Sequence, residues 1–336
     1  MAPRQIWALI DDRAGNTGQT LGVAEALGCE FRQIRVNYTP AVRLPNLVRA
    51  ASLLGVDPES QARLRSEGTV PGLVIAAGRR LAPVARWIKA QGQGTALCQI
   101  MDPGWPGRGD FDLIAIPAHD GNAIAGSNIL RVVGAPHRIA APRLDTARAA
   151  WADRLDAVRA PRIAVLIGGA TKDCPFSEAR AAALGKSLAG LAAALGGQIM
   201  LTTSRRTGRA AEGALLAELP DSVWSYRWGD AGENPYFGFL AWADILVVTG
   251  DSMSMVSEAC GTAKPVLIDA PKAETSAKHA RLHADLVARR RALRLDAGTD
   301  TLLAALPGLD CTPLNAAHDV AAGLKAAGLC PGCSPA

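Results

Sequence analysis

Aromatic side chains are scarce in this chain of 336 residues, since Phe, Trp and Tyr together make up 4%. The charge is also modest, with a formal net value of +5 at pH 7. Proteins that bind nucleic acid usually present a basic stripe with aromatic residues that stack on bases. The scarcity of aromatics and the small charge therefore argue against a nucleic-acid partner.

Long apolar runs are absent as well. No segment approaches the roughly 20 uncharged apolar residues that a membrane-spanning helix needs. The first apolar run, Ile6 to Ile10, is too short for a signal peptide and is followed at once by two aspartates. We therefore expect a cytoplasmic protein. Seven scattered cysteines, an odd number, indicate reduced thiols, and the lone CxxC of Cys330 and Cys333 has no second pair that would predict a metal site.

The fingerprints of bound cofactors are missing too. The segment Asp11 to Gln19, DDRAGNTGQ, has neither the GxGxxG nor the GxxxxGK[ST] spacing. Tyr38, Tyr226 and Tyr236 all lack a lysine at the spacing of a Tyr-xxx-Lys pair. The DxD of Asp110 to Asp112 precedes its strand, which is the wrong end of a sheet for a metal site. We predict no cofactor and no metal, which disfavours dehydrogenases and NTPases.

What the chain does contain is an alternation of short apolar runs with alanine-rich, helix-compatible segments, and this alternation occurs twice. Buried runs separated by helices are typical of parallel, doubly wound sheets. A chain of 336 residues also exceeds what one core usually supports. We predict an α/β fold of two Rossmann-like domains facing across a cleft, at residues 1–158 and 159–314, with a C-terminal helix and tail at 315–336 that packs back on the first domain.

The predicted strands cover residues 6–11, 31–36, 73–77, 96–101, 113–117 and 129–133 in the first domain, and 162–167, 198–203, 223–227, 245–249 and 266–269 in the second. Ligands of such folds bind at the carboxyl ends of the strands. The loops that follow the strands are therefore where site residues are expected.

The stretch from Ile245 to Ala259, ILVVTGDSMSMVSEA, has the pattern of strand, tight loop and helix. The first N–H groups of a helix lack internal partners and attract phosphate. Glu258 is an acceptor suited to sugar hydroxyls. An ordinary helix cap with a surface glutamate is the alternative. The residues of this stretch predicted to bind a donor are Thr249, Asp251, Ser252, Ser254, Ser257 and Glu258.

Three other loops of the second domain share amide, hydroxyl or cationic chemistry, and they predict a pocket for a nucleotide diphosphate or nucleotide sugar. Guanidinium groups suit a diphosphate, and a solvated arginine pair on the surface is the alternative. The donor-binding residues predicted here are Gly168, Gly169, Lys172, Ser204, Arg205, Arg206, Thr207, Asn234 and Tyr236.

In the first domain, three side chains at strand ends are candidates for the base that takes a proton from an acceptor hydroxyl: Asp12, Asp102 and His119. Each is also compatible with an ordinary turn. The segment Gly15, Asn16, Thr17, Gly18 and Gln19 is predicted as an acceptor-side loop, with the helix beginning near Thr17 or Gly18. A basic helix predicted from Lys278 to Arg294 suits contact with an anionic membrane, or a solvated surface.

Seven motifs together resemble the bacterial branch of the Elongated Mitochondria family of mitochondrial fission proteins, from about Trp7 to Leu329. They are DDRAGNTGQ, QIMDPG, PAHDGN, GGATKD, TSRRT, ENPYFGFLAWAD and VTGDSMSMVSEACGTAKPV. The resemblance implies a GT-B glycosyltransferase-like fold, with the donor in the second domain and the acceptor in the first. Glu258 stands where that superfamily has a glutamate for the ribose, whereas Gln19 stands where some members have a base histidine.

The function expected from these features is a metal-independent GT-B glycosyltransferase that moves a sugar from a nucleotide-sugar donor to a hydroxyl acceptor, such as a cell-envelope glycan or lipid. Such a protein would be cytoplasmic, with peripheral contact at the inner face of the membrane. Two alternatives stay open. One is a non-catalytic scaffold of the fission type, and the other is a nucleoside-diphosphate-sugar epimerase, as bacterial members are often labelled.

Overall fold

A computed structural model describes residues 5–67, 70–92, 94–121, 123–172 and 174–331. These residues form two compact units: unit 1 consists of those within Met1–Arg138 and Asn315–Ala336, and unit 2 of those within Ile139–Leu314. Each unit contains a six-stranded sheet in which neighbouring strands are parallel. The α/β class with two Rossmann-like units is thus confirmed. Asn122, Asp173 and Cys333, from three of the motifs above, lie outside the described residues.

The strands are β1 (Ile6–Ile10), β2 (Phe31–Arg35), β3 (Leu73–Ala77), β4 (Ala96–Ile100), β5 (Leu113–Pro117), β6 (Ile129–Val132), β7 (Arg162–Leu166), β8 (Gln198–Thr202), β9 (Trp224–Tyr226), β10 (Ile245–Thr249), β11 (Val266–Asp269) and β12 (Leu293–Arg294). The helices are α1 (Ala14–Ala26), α2 (Asn46–Arg49), α3 (Pro58–Ser66), α4 (Ala82–Ala90), α5 (Ala141–Ala150), α6 (Ala152–Leu155), α7 (Glu178–Leu195), α8 (Arg209–Leu216), α9 (Tyr236–Trp242), α10 (Met253–Cys260), α11 (Ala277–Ala288), α12 (Thr299–Ala305) and α13 (Ala316–Ala326).

Unit 1 has the strand order β2-β1-β3-β4-β5-β6. Every residue of β1, β3 and β5 is buried, as expected of strands covered on both faces. Helices α1 and α13 supply one core, in which Val23 packs with Val320, and α3 and α4 supply the other. The C-terminal helix α13 therefore packs within unit 1, as predicted.

Unit 2 has the strand order β12-β11-β10-β7-β8-β9, so the order reverses between β7 and β10. These two strands pair in register, with Val165 beside Val247. Helices α7 and α8 cover one face through Leu184, Leu188 and Leu215. Ligands of doubly wound sheets bind outside such a reversal. The loops that follow β7 and β10 are therefore the first place to look for a site.

The division between the units lies about 20 residues before the predicted boundary at 158. Helix α5 belongs to unit 2 because it packs on α9: the Trp242 indole donates to the Arg148 carbonyl at 2.9 Å, and the Arg148 guanidinium stacks 4.4 Å from the same ring. The charged, alanine-rich composition of residues 144–158 predicts a single helix, whereas the structure has two, α5 and α6.

The predicted basic helix from Lys278 to Arg294 is also different in the structure. Helix α11 ends at Ala288, Arg290 takes a left-handed backbone with φ 58°, and Leu293–Arg294 form the short strand β12.

Five described cysteines are free, as predicted, whereas Cys29 is disulfide-bonded. Within the described part of the chain, no helix is long and apolar enough to cross a membrane.

Candidate functional site

Three loops of unit 2 meet at Gly168, directly after β7. The Gly168 N–H donates to the Thr249 hydroxyl at 2.7 Å, which joins the ends of β7 and β10. The Gly168 carbonyl accepts from the hydroxyls of Thr207, at 3.1 Å, and Ser204. These three predicted donor-binding side chains therefore hold the loops together, and their hydroxyls already have partners inside the protein.

The close approach of these loops requires glycine. Gly169 has φ +118°, and a Cβ there would lie 2.4 Å from the Arg206 carbonyl carbon. A Cβ on Gly168 would lie 2.3 Å from a carboxylate oxygen of Asp251. Both glycines thus let the loop after β7 pack against the loops after β8 and β10.

Helix α10 begins next to these loops. Ser252 caps it by accepting from the Met255 N–H at 3.4 Å. The N–H groups of its first residues, Met253 and Ser254, have no partner inside the helix and carry the positive end of its dipole. The Ser257 hydroxyl donates to the Met253 carbonyl at 2.7 Å, one turn inside the helix, so it is not aimed at the loop. Ser252, the Ser254 hydroxyl and the first amides are the groups placed for an anion.

Charged side chains surround the start of α10. Arg206 forms an ion pair with Asp251, with 2.7 Å between nitrogen and oxygen. Arg205 and Lys172 are exposed, and within the described residues neither forms an ion pair. His279 lies nearby with its Nδ1 2.6 Å from the Ser276 hydroxyl, and burial lowers its pKa. Asp251, in the loop after β10, therefore lies beside Arg206 and His279, and these three residues form one rim.

A pocket opens beside this rim, and its lining includes residues that the sequence reading missed. Arg180, from α7, pairs with Asp269 at the end of β11 and reaches Glu274 at 3.0 Å. Burial raises the pKa of Asp269, and Arg180 offsets part of that rise. Asp269 could have been identified from the sequence as a site residue, because it stands at the end of a predicted strand. The lining includes Gly169, Thr249, Asp251, Arg180, Asp269 and His279.

Glu258 and Tyr236 form a hydrogen-bonded pair between α10 and the start of α9, in which the Tyr236 hydroxyl donates to Oε2 of Glu258. Burial raises the pKa of the Glu258 carboxyl, while the Tyr236 hydroxyl and the Arg143 charge act in the opposite direction. Arg143 itself stacks 4.5 Å from the Phe237 ring. Asn234, which is exposed, accepts from the Tyr236 N–H at 3.0 Å and so starts the helix rather than facing a ligand.

The three candidate bases of unit 1 have separate surroundings. Asp12 has a side chain 70% exposed and pairs with Arg80 at 2.7 Å. Asp102 accepts two hydrogen bonds of 2.8 Å from Arg108 and one of 3.0 Å from the Gly104 N–H, and the pKa of its carboxyl is lowered chiefly by Arg108. His119 is buried in a 3-10 turn at Ala118–Asp120. None of the three therefore stands out as a poised base.

The predicted acceptor-side loop is largely helix. Helix α1 begins at Ala14, so Gly15, Asn16, Thr17, Gly18 and Gln19 all lie in its first two turns. The Thr17 hydroxyl explains the early start, because it donates to the Asp11 carbonyl at 3.0 Å and so fixes the helix against the end of β1. The two glycines, poor helix formers, concealed this start in the sequence.

Asp11, which the sequence analysis did not include among the candidate bases, differs from an ordinary surface carboxylate. Its side chain is fully buried, one oxygen accepts from the Arg13 N–H at 3.0 Å, and the other lies 3.9 Å from Arg80. Burial raises the pKa of Asp11, which makes it a better proton acceptor than a solvated aspartate. Its position at the end of an entirely apolar strand was the signal that could have identified it.

Comparisons with known proteins agree with this picture of the fold. The profile of the family described as Mitochondrial fission ELM1 matches residues 14–327. The mitochondrial fission protein ELM1 of Arabidopsis thaliana is 30% identical over 246 residues, which are 66% of this chain and 57% of the plant protein. This chain thus spans little more than half the length of that relative.

Among solved structures, the UDP-GlcNAc 2-epimerase from Methanocaldococcus jannaschii matches with a TM-score of 0.56 at 12% identity, over 96% of this chain and 99% of that one. The glycotransferase of kitacinnamycin matches with a TM-score of 0.52 at 16% identity, over 97% of this chain and 95% of that one. At these identities the likeness is one of fold.

Proposed function

We propose that this chain, which belongs to the mitochondrial fission ELM1 family, binds a nucleotide sugar in unit 2 and transfers its sugar to a hydroxyl acceptor. The observation that carries the proposal is the convergence of Gly168–Gly169, Arg206 and the start of α10 at the reversal of the strand order in unit 2. Two proteins that share the fold are by name a UDP-GlcNAc epimerase and a glycotransferase, which supports a nucleotide sugar as the ligand class.

The diphosphate would lie at the first amides of α10, beside Ser252 and Ser254. Arg206 would exchange part of its contact with Asp251 for the phosphates, since a guanidinium binds either anion. Glu258 would accept from the ribose hydroxyls, with Tyr236 holding its carboxylate in one orientation. Arg205, Arg206, Lys172 and the helix dipole would neutralise the charge that builds up on the leaving diphosphate.

Cations and dipoles in this role would make the transfer independent of a metal. For the base, unit 1 offers Asp11 as the better candidate, because its carboxylate is buried and lies 3.9 Å from Arg80, whereas Asp12 and Asp102 contact an arginine at 2.7 and 2.8 Å. Proton transfer from the acceptor hydroxyl to the buried Asp11 carboxylate would generate the nucleophile.

The proposal is tested by measuring whether the protein turns over a nucleotide sugar. Purified protein is incubated with UDP-, GDP-, ADP- and CMP-sugars and a membrane extract as the source of acceptor, and the released nucleoside diphosphate or monophosphate is measured. We expect release above background with one donor, and loss of release in Asp11→Asn with donor binding retained. Sugar epimerisation without release, seen by chromatography of the nucleotide sugar, would instead identify an epimerase.

A second candidate function is nucleotide-sugar binding without chemistry, as in a scaffold. It is favoured by the engagement of Asp12 with Arg80 and of Asp102 with Arg108, which leaves two of the three predicted bases in ion pairs. This candidate predicts that the donor binds but that no nucleotide is released, whichever acceptor is supplied. It also predicts that Asp11→Asn leaves donor binding unchanged.

A further inference from the structure

Unit 1 carries a group of exposed apolar side chains on two neighbouring segments, which we call the apolar patch. One segment runs through α2 and follows β2, and the other follows β4. Large apolar side chains are normally buried, and a concentration of exposed ones marks an interaction surface. The patch and its exposed fractions are Leu44 at 39%, Leu47 at 57%, Val48 at 57%, Leu54 at 43% and Trp105 at 71%.

Hydrogen bonds from two buried side chains fix the backbone that carries the patch. The Asn46 side-chain amide donates to the Pro103 carbonyl at 2.8 Å and to the Arg79 carbonyl at 3.0 Å, which joins α2 to the loop that carries Trp105. Arg49 is 1% exposed and donates to the carbonyls of Leu54 at 3.0 Å and Arg80 at 3.1 Å. Two buried polar side chains thus fix a segment whose apolar side chains face outward.

The charge beside the α2 part of the patch is positive. Residues 36–56 and 78–81 contain four arginines and no acidic residue, whereas the loop that carries Trp105 contains Asp102 and Asp110, which pair with Arg108 and Arg86. Arg43 and Arg79 are exposed, and the described residues offer neither of them an ion-pair partner. The Arg79 side chain runs past Gly104, next to Trp105, with its Cδ 3.9 Å from where a Cβ would stand on Gly104. Asp12 and Asp102 are already paired with Arg80 and Arg108.

Exposed leucine, valine and tryptophan beside two exposed arginines, Arg43 and Arg79, match the interface of a membrane that contains anionic lipids. Tryptophan prefers the headgroup level, aliphatic side chains enter the acyl boundary, and each basic residue gains from the negative surface potential. We propose that the apolar patch docks unit 1 on an anionic phospholipid bilayer. This surface differs from the basic segment around α11, where Arg289, Arg291 and Arg294 pair with Asp285, Asp310 and Asp296.

The patch adjoins the first turns of α1, because the Asn16 side-chain nitrogen lies 2.7 Å from where a Cβ would stand on Gly78, one residue before Arg79. Docking would therefore bring this end of the unit 1 sheet close to the membrane surface. The inference does not depend on transfer chemistry, since a scaffold with the same surface would dock as well.

The experiment is co-sedimentation of the full chain with vesicles of phosphatidylcholine alone or with added phosphatidylglycerol. We expect binding only with the anionic lipid, weakened roughly tenfold or more by Leu47→Glu with Val48→Glu, because two acyl contacts are lost and two negative charges added. Arg43→Ala with Arg79→Ala should lower the dependence on phosphatidylglycerol. The matched control is Val70→Glu with Trp228→Glu, two exposed apolar residues outside the patch, at 43% and 50%.

Circular dichroism and melting temperature show that each variant is folded, and calorimetry with nucleotide sugars on Leu47→Glu with Val48→Glu separates docking from donor binding. The proposal is overturned if the wild-type chain does not bind anionic vesicles, or if the patch variant binds as well as the control. It is also overturned if gel filtration shows a dimer that only the patch variant dissociates, because the patch would then be a protein interface.

Discussion

The pair of Tyr236 and Glu258 gives the sharpest prediction, tested by Tyr236→Phe. The substitution keeps the ring and removes the hydroxyl that donates to the Glu258 carboxylate. Hydrogen bonds to charged groups are worth about 1.5–3 kcal/mol. Burial raises the pKa of Glu258, and loss of the Tyr236 donor should raise it further, because that hydroxyl stabilises the ionised form.

The sign of the pH dependence follows from this shift. A carboxyl whose pKa is higher in the folded than in the unfolded state favours folding below its ordinary pKa, and this contribution is lost as the pH rises through the folded value. In Tyr236→Phe the missing hydrogen bond costs stability chiefly when the Glu258 carboxylate is ionised, because the charged form depends most on the donor. We expect a loss of about 1–3 kcal/mol in the free energy of unfolding at pH 8, shrinking toward pH 5 as Glu258 takes up a proton.

Urea denaturation at pH 5 and pH 8 measures this directly. The matched control is Tyr226→Phe, whose hydroxyl donates at 3.0 Å to the backbone carbonyl of Asp230 rather than to a carboxylate. We expect a smaller cost there, independent of pH. Glu258→Gln combined with Tyr236→Phe should cancel most of the pH dependence. A Tyr236→Phe cost that is equal at both pH values, or equal to that of the control, would refute the reasoning.

Two further predictions concern the loops around Gly168. Gly169→Ala should lower the melting temperature and abolish nucleotide-sugar binding, because alanine disfavours φ +118° and its Cβ would meet the Arg206 carbonyl. The control is Gly213→Ala in α8, where a Cβ meets nothing within 4 Å and stability should rise by about 0.5–1 kcal/mol; equal melting temperatures in the two variants would contradict this account. Asp251→Asn should raise the affinity for a nucleoside diphosphate roughly fivefold in low salt, because one competing negative charge is removed from Arg206. A fall in affinity in calorimetry would show that the carboxylate binds the ligand itself.

The strands were the part of the fold most open to prediction, because a parallel strand buried on both faces is a continuous apolar run. All eleven predicted strands were found within one residue at each end. Strand β12 was missed because its two residues follow the helical pattern of α11 without a break that periodicity could detect. The unit boundary was misplaced because the composition of α5 does not indicate which sheet it covers, and that depends on its contacts with Trp242.

The candidate site's place in the fold could be read from the sequence, while the binding roles of its residues stay predictions. Loops after strands indicated Gly168 and Arg206, and the helix after one such loop carries Glu258, because topology decides where the carboxyl ends of strands lie. The sequence could not distinguish side chains that face a ligand from those that hold the loops together. Thr249 binds the Gly168 N–H across 81 residues of chain, and such a partner is visible only after folding. The same holds for Asp11 and Asp12, adjacent in sequence but opposite in exposure.

The central claim is that unit 2 binds a nucleotide sugar through Arg206 and Glu258. Isothermal titration calorimetry of the purified chain with UDP-, GDP-, ADP- and CMP-sugars tests it most directly. We predict saturable binding of one of them, weakened at least tenfold by Arg206→Ala and by Glu258→Ala and unchanged by Arg209→Ala, an exposed arginine on α8 outside the site. Absence of binding to all four, or binding that Glu258→Ala leaves unchanged, would contradict the claim.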